Sequence, residues 1–192
     1  GWNILDRMKY YKVPGLSIAV IKDYKIDWAK GYGLADTLEK IPVTNETMFS
    51  AGSISKFLMA ITALKMVENG QIELNKPINQ YLTSWKISEN ELTQKTPVTL
   101  RMLLSHSGGT SQSSYFGFTP NEPLPSIVEI LSGAKIAGTR GVVVNSEPNK
   151  EFRYSGGGSM IAQMALITIN VGIFPNFSEA LEVKVAPTTA TN

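Results

Sequence analysis

The 192-residue sequence contains no cysteine and only one histidine, His106. The missing thiols exclude disulfide bonds, metal sites built on thiolates and cysteine nucleophiles. The single imidazole excludes a multi-histidine metal site, and a Ser-His-Asp triad would have to use His106. The net charge of +2 is too small to indicate nucleic acid or a membrane surface as a partner.

Long hydrophobic runs are also missing from the sequence. No apolar stretch approaches the roughly 18 residues that indicate a membrane-spanning helix. The first residues lack a basic segment followed by an apolar one, so a signal peptide is expected to be absent or already removed. Apolar residues make up 43% of the chain and charged residues 18%, which predicts a globular rather than a disordered protein.

The hydrophobic pattern of the first seventy residues predicts a hairpin followed by a helix. Apolar runs at residues 16–21 and 26–32, separated by a polar turn, predict two antiparallel strands. Residues 34–50 are expected to form a loop. A long helix is predicted from Ser53 to the stop signal at residues 69–70, and its almost complete lack of polar side chains predicts burial nearly all round.

Shorter helices are predicted along the rest of the chain. Thr99 is expected to cap a helix over residues 100–104. Helical patterns also cover residues 126–131, 160–169 and 177–185. Three glycines lead into the helix that starts at residue 160, where they allow close approach of the backbone.

Two matches to the pattern S-x-x-K are the first candidates for chemistry, although about one match is expected by chance in a chain of ordinary composition. Ser132 stands where a helix ends at Gly133, so Lys135 would not lie above it on a helical face. Ser53 and Lys56 open the long apolar helix, where residues three apart are neighbours. The helix dipole there stabilises developing negative charge, which suits a serine nucleophile with a lysine as proton acceptor.

Ser53 also has a simpler interpretation, since serine is a favoured N-cap. That interpretation does not explain Lys56, a charge at the start of a strongly apolar helix. A serine–lysine pair needs a proton relay, and Tyr154 is a candidate because cations can lower a tyrosine pKa. The alternative for Tyr154 is an ordinary buried aromatic residue.

Four segments, in this order along the chain, resemble one known family. They are residues 13–20 (VPGLSIAV), 48–56 (MFSAGSISK), 103–109 (LLSHSGG) and 152–156 (FRYSG). Together they resemble the serine β-lactamase and penicillin-binding-protein superfamily, in particular its class C branch with esterase and D-aminopeptidase-like relatives. The resemblance covers nearly the whole chain.

The resemblance implies an α+β fold, with an antiparallel sheet flanked by helices beside a helical lobe. Residues 1–192 would be one incomplete domain, with the sheet lobe over about residues 1–50 plus later elements and the helical lobe over about residues 53–150. The family's third motif, Lys-Thr-Gly or His-x-Gly, is absent after Tyr154. The chain therefore resembles the front half to two-thirds of such a protein, with the C-terminal part of the sheet missing.

The resemblance also implies residue roles. Ser53 would be the acylated nucleophile and one oxyanion donor through its N–H, Lys56 its proton acceptor, and Tyr154 the relay to the leaving group. His106 would be structural. Ser155 and Gly156 would contact the substrate, although Gly156 stands where β-lactamases usually carry asparagine, which favours ester or amide substrates over penicillins.

An aromatic loop completes the predicted site. Residues 110–124 form a long polar loop, and loops of this length often carry function. Its Tyr115, Phe116 and Phe118 are expected to shape an apolar acyl pocket beside Ser53. The alternative is that these rings simply pack beneath the loop.

The sequence thus predicts a serine hydrolase that forms an acyl-serine on small ester, amide or β-lactam substrates. No cofactor and no metal are implied, nucleic acid is not an expected partner, and the expected location is periplasmic or secreted. A second chain or fragment is a candidate for completing the sheet. The alternative function is that of a non-catalytic relative, a binding, sensor or assembly protein.

Overall fold

The computed structural model describes residues 1–115, 117 and 122–170. The chain divides into two compact units, one formed by Gly1–Ser50 and the other beginning at Ala51. The described residues combine helices with an antiparallel sheet. This confirms the predicted α+β class. The helix predicted over residues 177–185 lies outside the described residues.

The first unit is a helix followed by a small sheet. Its elements are α1 (Ile4–Tyr11), β1 (Gly15–Lys22), β2 (Lys25–Asp36) and β3 (Ile41–Pro42), with strand order β1-β2-β3 and antiparallel pairing throughout. The predicted hairpin is therefore confirmed. Asp23 and Tyr24 form its turn with φ of 50° and 61°, the positive values that a two-residue type I′ turn requires.

Two parts of this sheet differ from the expectation. Residues 34–50 were expected to be loop, but β2 continues to Asp36 and pairs with β3. Sheet pairing overrides the weak strand propensity of these residues. Pro42 is tolerated because β3 is an edge strand within the described residues.

The second unit is mainly helical. Its α-helices are α2 (Ser55–Glu68), α3 (Glu91–Lys95), α4 (Leu100–Leu104), α5 (Ile127–Ser132) and α6 (Gly156–Asn170), and short 3₁₀ turns cover Gly52–Ile54, Ile78–Gln80 and Lys135–Ala137. Thr99 accepts a hydrogen bond from Met102 N at the start of α4, which confirms the predicted cap. No helix within the described residues is long and apolar enough to cross a membrane.

The core of this unit positions α6. Leu100, Leu103, Leu131, Ile161 and Ala165, from α4, α5 and α6, are each at most 1% exposed. Full burial of side chains of this size contributes about 1.5–3 kcal/mol each for the leucines and isoleucine. This packing fixes the start of α6 against residues 112–113, whose carbonyl groups accept hydrogen bonds from Gly157 N and Gly156 N.

The glycines at the start of α6 are required by that close packing. α6 begins at Gly156, four residues before the predicted start, so all three glycines lie in its first turn. A Cβ on Gly157 would lie 2.7 Å from the carbonyl oxygen of Ser111, and one on Gly158 would lie 2.7 Å from Thr110 Oγ1. Only glycine lets the backbone approach this closely.

The burial expected for α2 is wrong for the described residues. Ala63 and Met66 are its only buried residues. Phe57, Leu58 and Ile61, which lie at helical spacing on another side, are 49–65% exposed. Sequence hydrophobicity predicts what a helix can bury, whereas burial itself depends on which elements are present to cover each face.

Candidate active site

Ser53 lies in the 3₁₀ turn that leads into α2. Ile54 occupies the position before the first α-helical residue, and no side chain caps it. The interpretation of Ser53 as a simple N-cap is therefore wrong. Its exposed hydroxyl is instead directed at two other side chains.

The hydroxyl of Ser53 is the meeting point of the three predicted catalytic side chains. Lys56 Nζ donates a hydrogen bond to Ser53 Oγ at 3.2 Å. Tyr154 OH donates to the same oxygen at 2.8 Å, although it stands 101 residues away in sequence. Both distances lie within the reach that proton transfer requires. The structure thus brings together the residues that the spacing and the family order single out, while their catalytic roles stay a prediction.

The charge of Lys56 changes the acidity of Tyr154. Hydrogen bonding from Lys56 lowers the pKa of Tyr154, and the hydrogen bond with Ser53 lowers it further. The Lys56 Nζ lies 5.3 Å from the centroid of the Tyr154 ring. Because cations favour the phenolate over the phenol, the proton of Tyr154 is easier to move than that of an isolated tyrosine.

A cavity of about 600 Å³ opens beside these three residues. Gly156 and Tyr115 line it, while their contact with a substrate stays a prediction. Its volume lies within the range of small-molecule sites. The apolar part of the wall is formed by the side chains of α2 and α6, namely Leu58, Met59, Met160 and Leu166.

Tyr115 is the only described member of the predicted aromatic cluster in this wall. Its hydroxyl is buried without a hydrogen-bond partner among the described residues, and burial raises the pKa of Tyr115 to about 12. Tyr115 is therefore an uncharged phenol at neutral pH. Its side chain packs against the hydrophobic core. Phe116 and Phe118 lie outside the described residues.

Ser155 does not line the cavity. Its side chain is only 2% exposed, and its hydroxyl donates to the carbonyl of Ser111 at 2.8 Å. It also accepts from Gly158 N at 2.9 Å in the first turn of α6, as an N-cap does. We therefore leave Ser155 out of the proposed site, since this hydroxyl is engaged inside the protein.

Several polar lining residues were not singled out from the sequence. Ser113, Ser114 and Gln163 face the same cavity. Gln163 follows Gly156 by seven residues and so lies on the same face of α6, a signal that the sequence does contain. No group of three histidine or acidic side chains suited to a metal ion occurs within residues 1–115, 117 and 122–170.

Comparison with known proteins decides the family. The family model described as Beta-lactamase matches residues 3–168, which is most of the chain. The chain belongs to the beta-lactamase family. This confirms the resemblance seen in the sequence, and the match spans the residues of the candidate site.

Individual relatives agree with this membership. The mouse protein named serine beta-lactamase-like protein LACTB, mitochondrial, is 28% identical over 81% of this chain and 27% of its own length. The octameric penicillin-binding protein homologue from Pyrococcus abyssi is 26% identical, with a TM-score of 0.69, over 87% of this chain and 37% of that one. The D-amino acid amidase from Ochrobactrum anthropi SV3 shares the fold, with a TM-score of 0.65 at 23% identity, over 91% of this chain and 48% of that one.

The chain spans about a quarter of the length of the mouse relative that it matches. The family and its fold are thus established for this chain. The reaction, the substrate and the role of each side chain are proposals.

Proposed function

We propose that this chain carries the nucleophilic centre of a serine hydrolase that acts on small ester or amide substrates. The observation that carries the proposal is the position of Ser53 Oγ, which accepts hydrogen bonds from both Lys56 Nζ and Tyr154 OH. A serine becomes a useful nucleophile only when a neighbouring group can remove its proton. Membership of the beta-lactamase family supports the same interpretation.

In the proposed reaction, Lys56 takes the proton of the Ser53 hydroxyl as Ser53 Oγ attacks the substrate carbonyl. Tyr154 then passes a proton to the leaving alcohol or amine, and Lys56 returns one to Tyr154. The carbon–oxygen or carbon–nitrogen bond of the substrate breaks, and an acyl-serine remains. Attack by water on that ester releases the acid and restores the Ser53 hydroxyl.

The oxyanion of the tetrahedral intermediate needs donors aimed at it. We assign one to the N–H of Ser53, in the turn at the positive end of α2. We place the second on a later strand of a longer polypeptide, as the family resemblance implies. Loss of one donor of a pair costs about 10²–10³ in rate, so we expect the 192-residue chain to acylate measurably but to turn over slowly.

The cavity favours an apolar acyl group over a penicillin. Leu58, Met59 and Met160 provide an apolar wall beside Ser53. Gly156 offers no side chain to contact a substrate amide, in the place where β-lactamases usually carry asparagine. A Cβ at this position would lie 3.1 Å from the carbonyl oxygen of Ser113, so a larger residue would require that segment to shift.

The two compact units are proposed to be lobes of a single domain. The family match runs from residue 3 to residue 168 and so includes parts of both. β1 is an edge of the three-stranded sheet within the described residues, and exposed edges recruit further strands. We propose that later strands of a longer polypeptide, or a second chain, pair there. A periplasmic or secreted location is part of the same proposal.

A binding, sensor or assembly role without catalysis is the second candidate. The two candidates differ in whether Ser53 becomes covalently modified.

An ester hydrolysis assay tests the catalytic proposal. It measures the release of p-nitrophenol from a p-nitrophenyl ester by the 192-residue chain, by Ser53→Ala and by the control Ser132→Ala. We expect a burst that Ser53→Ala abolishes and Ser132→Ala retains, and equal rates in all three proteins would contradict it.

A further inference from the structure

His106 lies directly behind Tyr154, at the end of α4. Its backbone carbonyl accepts a hydrogen bond from Arg153 N at 2.7 Å. Its ring nitrogen Nδ1 accepts another from Ser155 N at 3.3 Å. The two residues that flank Tyr154 in the chain are therefore both tied to His106.

The imidazole also contacts the Tyr154 side chain itself. The two ring centroids are 4.5 Å apart with an interplanar angle of 41°. The imidazole also meets the ring of Phe152 edge-on, with the centroids 5.8 Å apart. Three contacts, two to the backbone and one to the ring, thus fix where the Tyr154 hydroxyl points.

We propose that His106 is a positioning residue that holds Tyr154 against Ser53 only while its Nδ1 is unprotonated. The inference rests on the proposed function of Tyr154 as proton relay. It assigns His106 a role in a proton-dependent geometry, which goes beyond a general structural one. Misplacement of a reacting group by about 1 Å can cost on the order of 10²-fold in rate, so a residue with this position affects the reaction without contacting the substrate.

The dependence on protonation follows from the hydrogen bond to Ser155. An acceptor at Nδ1 requires the tautomer with its proton on Nε2. Protonation of Nδ1 would set an N–H against the N–H of Ser155, and the bond would break. The ring is partly buried. Burial is the larger cause that lowers the pKa of His106, and the positive charge of Lys56 lowers it further.

The surroundings of His106 favour the neutral imidazole. Lys56 on α2 is the charged side chain whose field acts on the ring, and Tyr154 and Phe152 are the rings packed on it. The guanidinium of Arg153 is bonded to Asn145 Oδ1 at 2.6 Å. The described surroundings contribute no carboxylate that would stabilise an imidazolium, which agrees with the direction of the shift.

The single histidine makes a direct test possible. His106 is the only imidazole in the chain, so its ¹⁵N resonances need no assignment. We expect nuclear magnetic resonance of the 192-residue chain to find the Nε2–H tautomer at pH 7 and a pKa below the ordinary value of 6.5. An Nδ1–H tautomer, or a pKa of 6.5 or above, would overturn the proposal whether or not the chain hydrolyses anything.

Two substitutions separate the acceptor from the ring. His106→Asn keeps an acceptor near the position of Nδ1 and tolerates the positive φ of 56° at this residue, but it does not titrate. His106→Phe keeps a ring against Tyr154 and removes the acceptor. The readout is the rate of covalent labelling of Ser53 by a fluorophosphonate, resolved into the maximal rate and the half-saturating concentration, between pH 5 and 8.

We expect His106→Phe to lower the maximal labelling rate by about 10-fold or more with an unchanged half-saturating concentration. We expect the labelling rate of the parent chain to fall below pH 6.5, and His106→Asn should keep more of the rate and lose this fall. Phe152→Leu is the matched control, because it alters another ring packed on the imidazole and leaves both hydrogen bonds, so its pH profile should match that of the parent chain.

A purely structural role would give another pattern. The labelling of both His106 variants would then fall in proportion to the folded fraction measured by circular dichroism, and their pH profiles would keep the parent shape. That outcome would overturn the positioning role. If Ser53 is not labelled in any protein while the predicted tautomer and pKa are observed, the proposed hydrolase function fails and the contact of His106 with the Tyr154 segment stands.

Discussion

Replacement of Tyr154 by phenylalanine is the most informative single perturbation of this site. It deletes the hydroxyl that lies 2.8 Å from Ser53 Oγ and keeps the ring that packs on His106. General acid–base groups typically contribute about 10²–10⁴ in rate. We therefore expect the acylation rate of Ser53 to fall by that factor, which corresponds to about 2.7–5.4 kcal/mol of transition-state stabilisation.

The fold should tolerate this change. Tyr154 is 38% exposed, and a hydrogen bond of this kind contributes only about 0.5–1.5 kcal/mol to stability. The loss of rate should therefore exceed any effect of unfolding. The assay is the second-order rate constant of fluorophosphonate labelling, measured beside the urea midpoint of the same protein.

Tyr115→Phe is the control for Tyr154→Phe. Tyr115 lines the same cavity, but its hydroxyl has no partner among the described residues. Removal of that hydroxyl should leave the labelling rate within about 3-fold and should raise stability by about 1 kcal/mol, since an unsatisfied buried group is costly. A Tyr154→Phe variant that labels as fast as the Tyr115→Phe control would refute the assignment of Tyr154 as relay.

Three further predictions concern Lys56, the start of α6 and pH. Lys56→Ala should slow labelling of Ser53 by about 10²–10⁴, whereas Lys135→Ala, in the second S-x-x-K match, should not; equal effects would contradict the role of Lys56. Gly157→Ala should lower the free energy of unfolding by about 1–3 kcal/mol, measured in urea, because its Cβ would lie 2.7 Å from a carbonyl oxygen. Because the pKa of His106 is lowered in the folded chain, the unfolded chain binds that proton first as pH falls. The contribution of His106 to stability is therefore present above pH 6.5 and is lost as pH falls from there through the folded pKa. A curve of stability against pH that is unchanged in His106→Asn would refute this.

The elements that the sequence predicts well are those with local signals. The hairpin has two apolar runs around a turn, and α4 has Thr99 as a cap with an apolar run behind it. The approach of Tyr154 to Ser53 rests on family order as well, since 101 residues separate them. Local spacing alone predicts only the Ser53–Lys56 contact.

The features that the sequence did not predict depend on tertiary packing. A serine at position 155 could serve as a substrate contact or as a helix cap. The hydrogen bond from Gly158 N to Ser155 Oγ, in the first turn of α6, is that of a cap. The exposure of Phe57 and Leu58 on α2 depends on which elements are present to cover that face. Gln163 lies within the predicted helix, but the apolar pattern of that helix does not tell which of its residues line the cavity.

The central claim is that Ser53 is a nucleophile, and the mass of the labelled peptide tests it most directly. The 192-residue chain is treated with a fluorophosphonate, digested with trypsin and fragmented in a mass spectrometer. The account predicts one adduct, on Ser53, that is absent in Ser53→Ala and present in Ser132→Ala. An adduct on Ser55 or Ser132 in place of Ser53, or no adduct on a chain that circular dichroism shows to be folded, would contradict it.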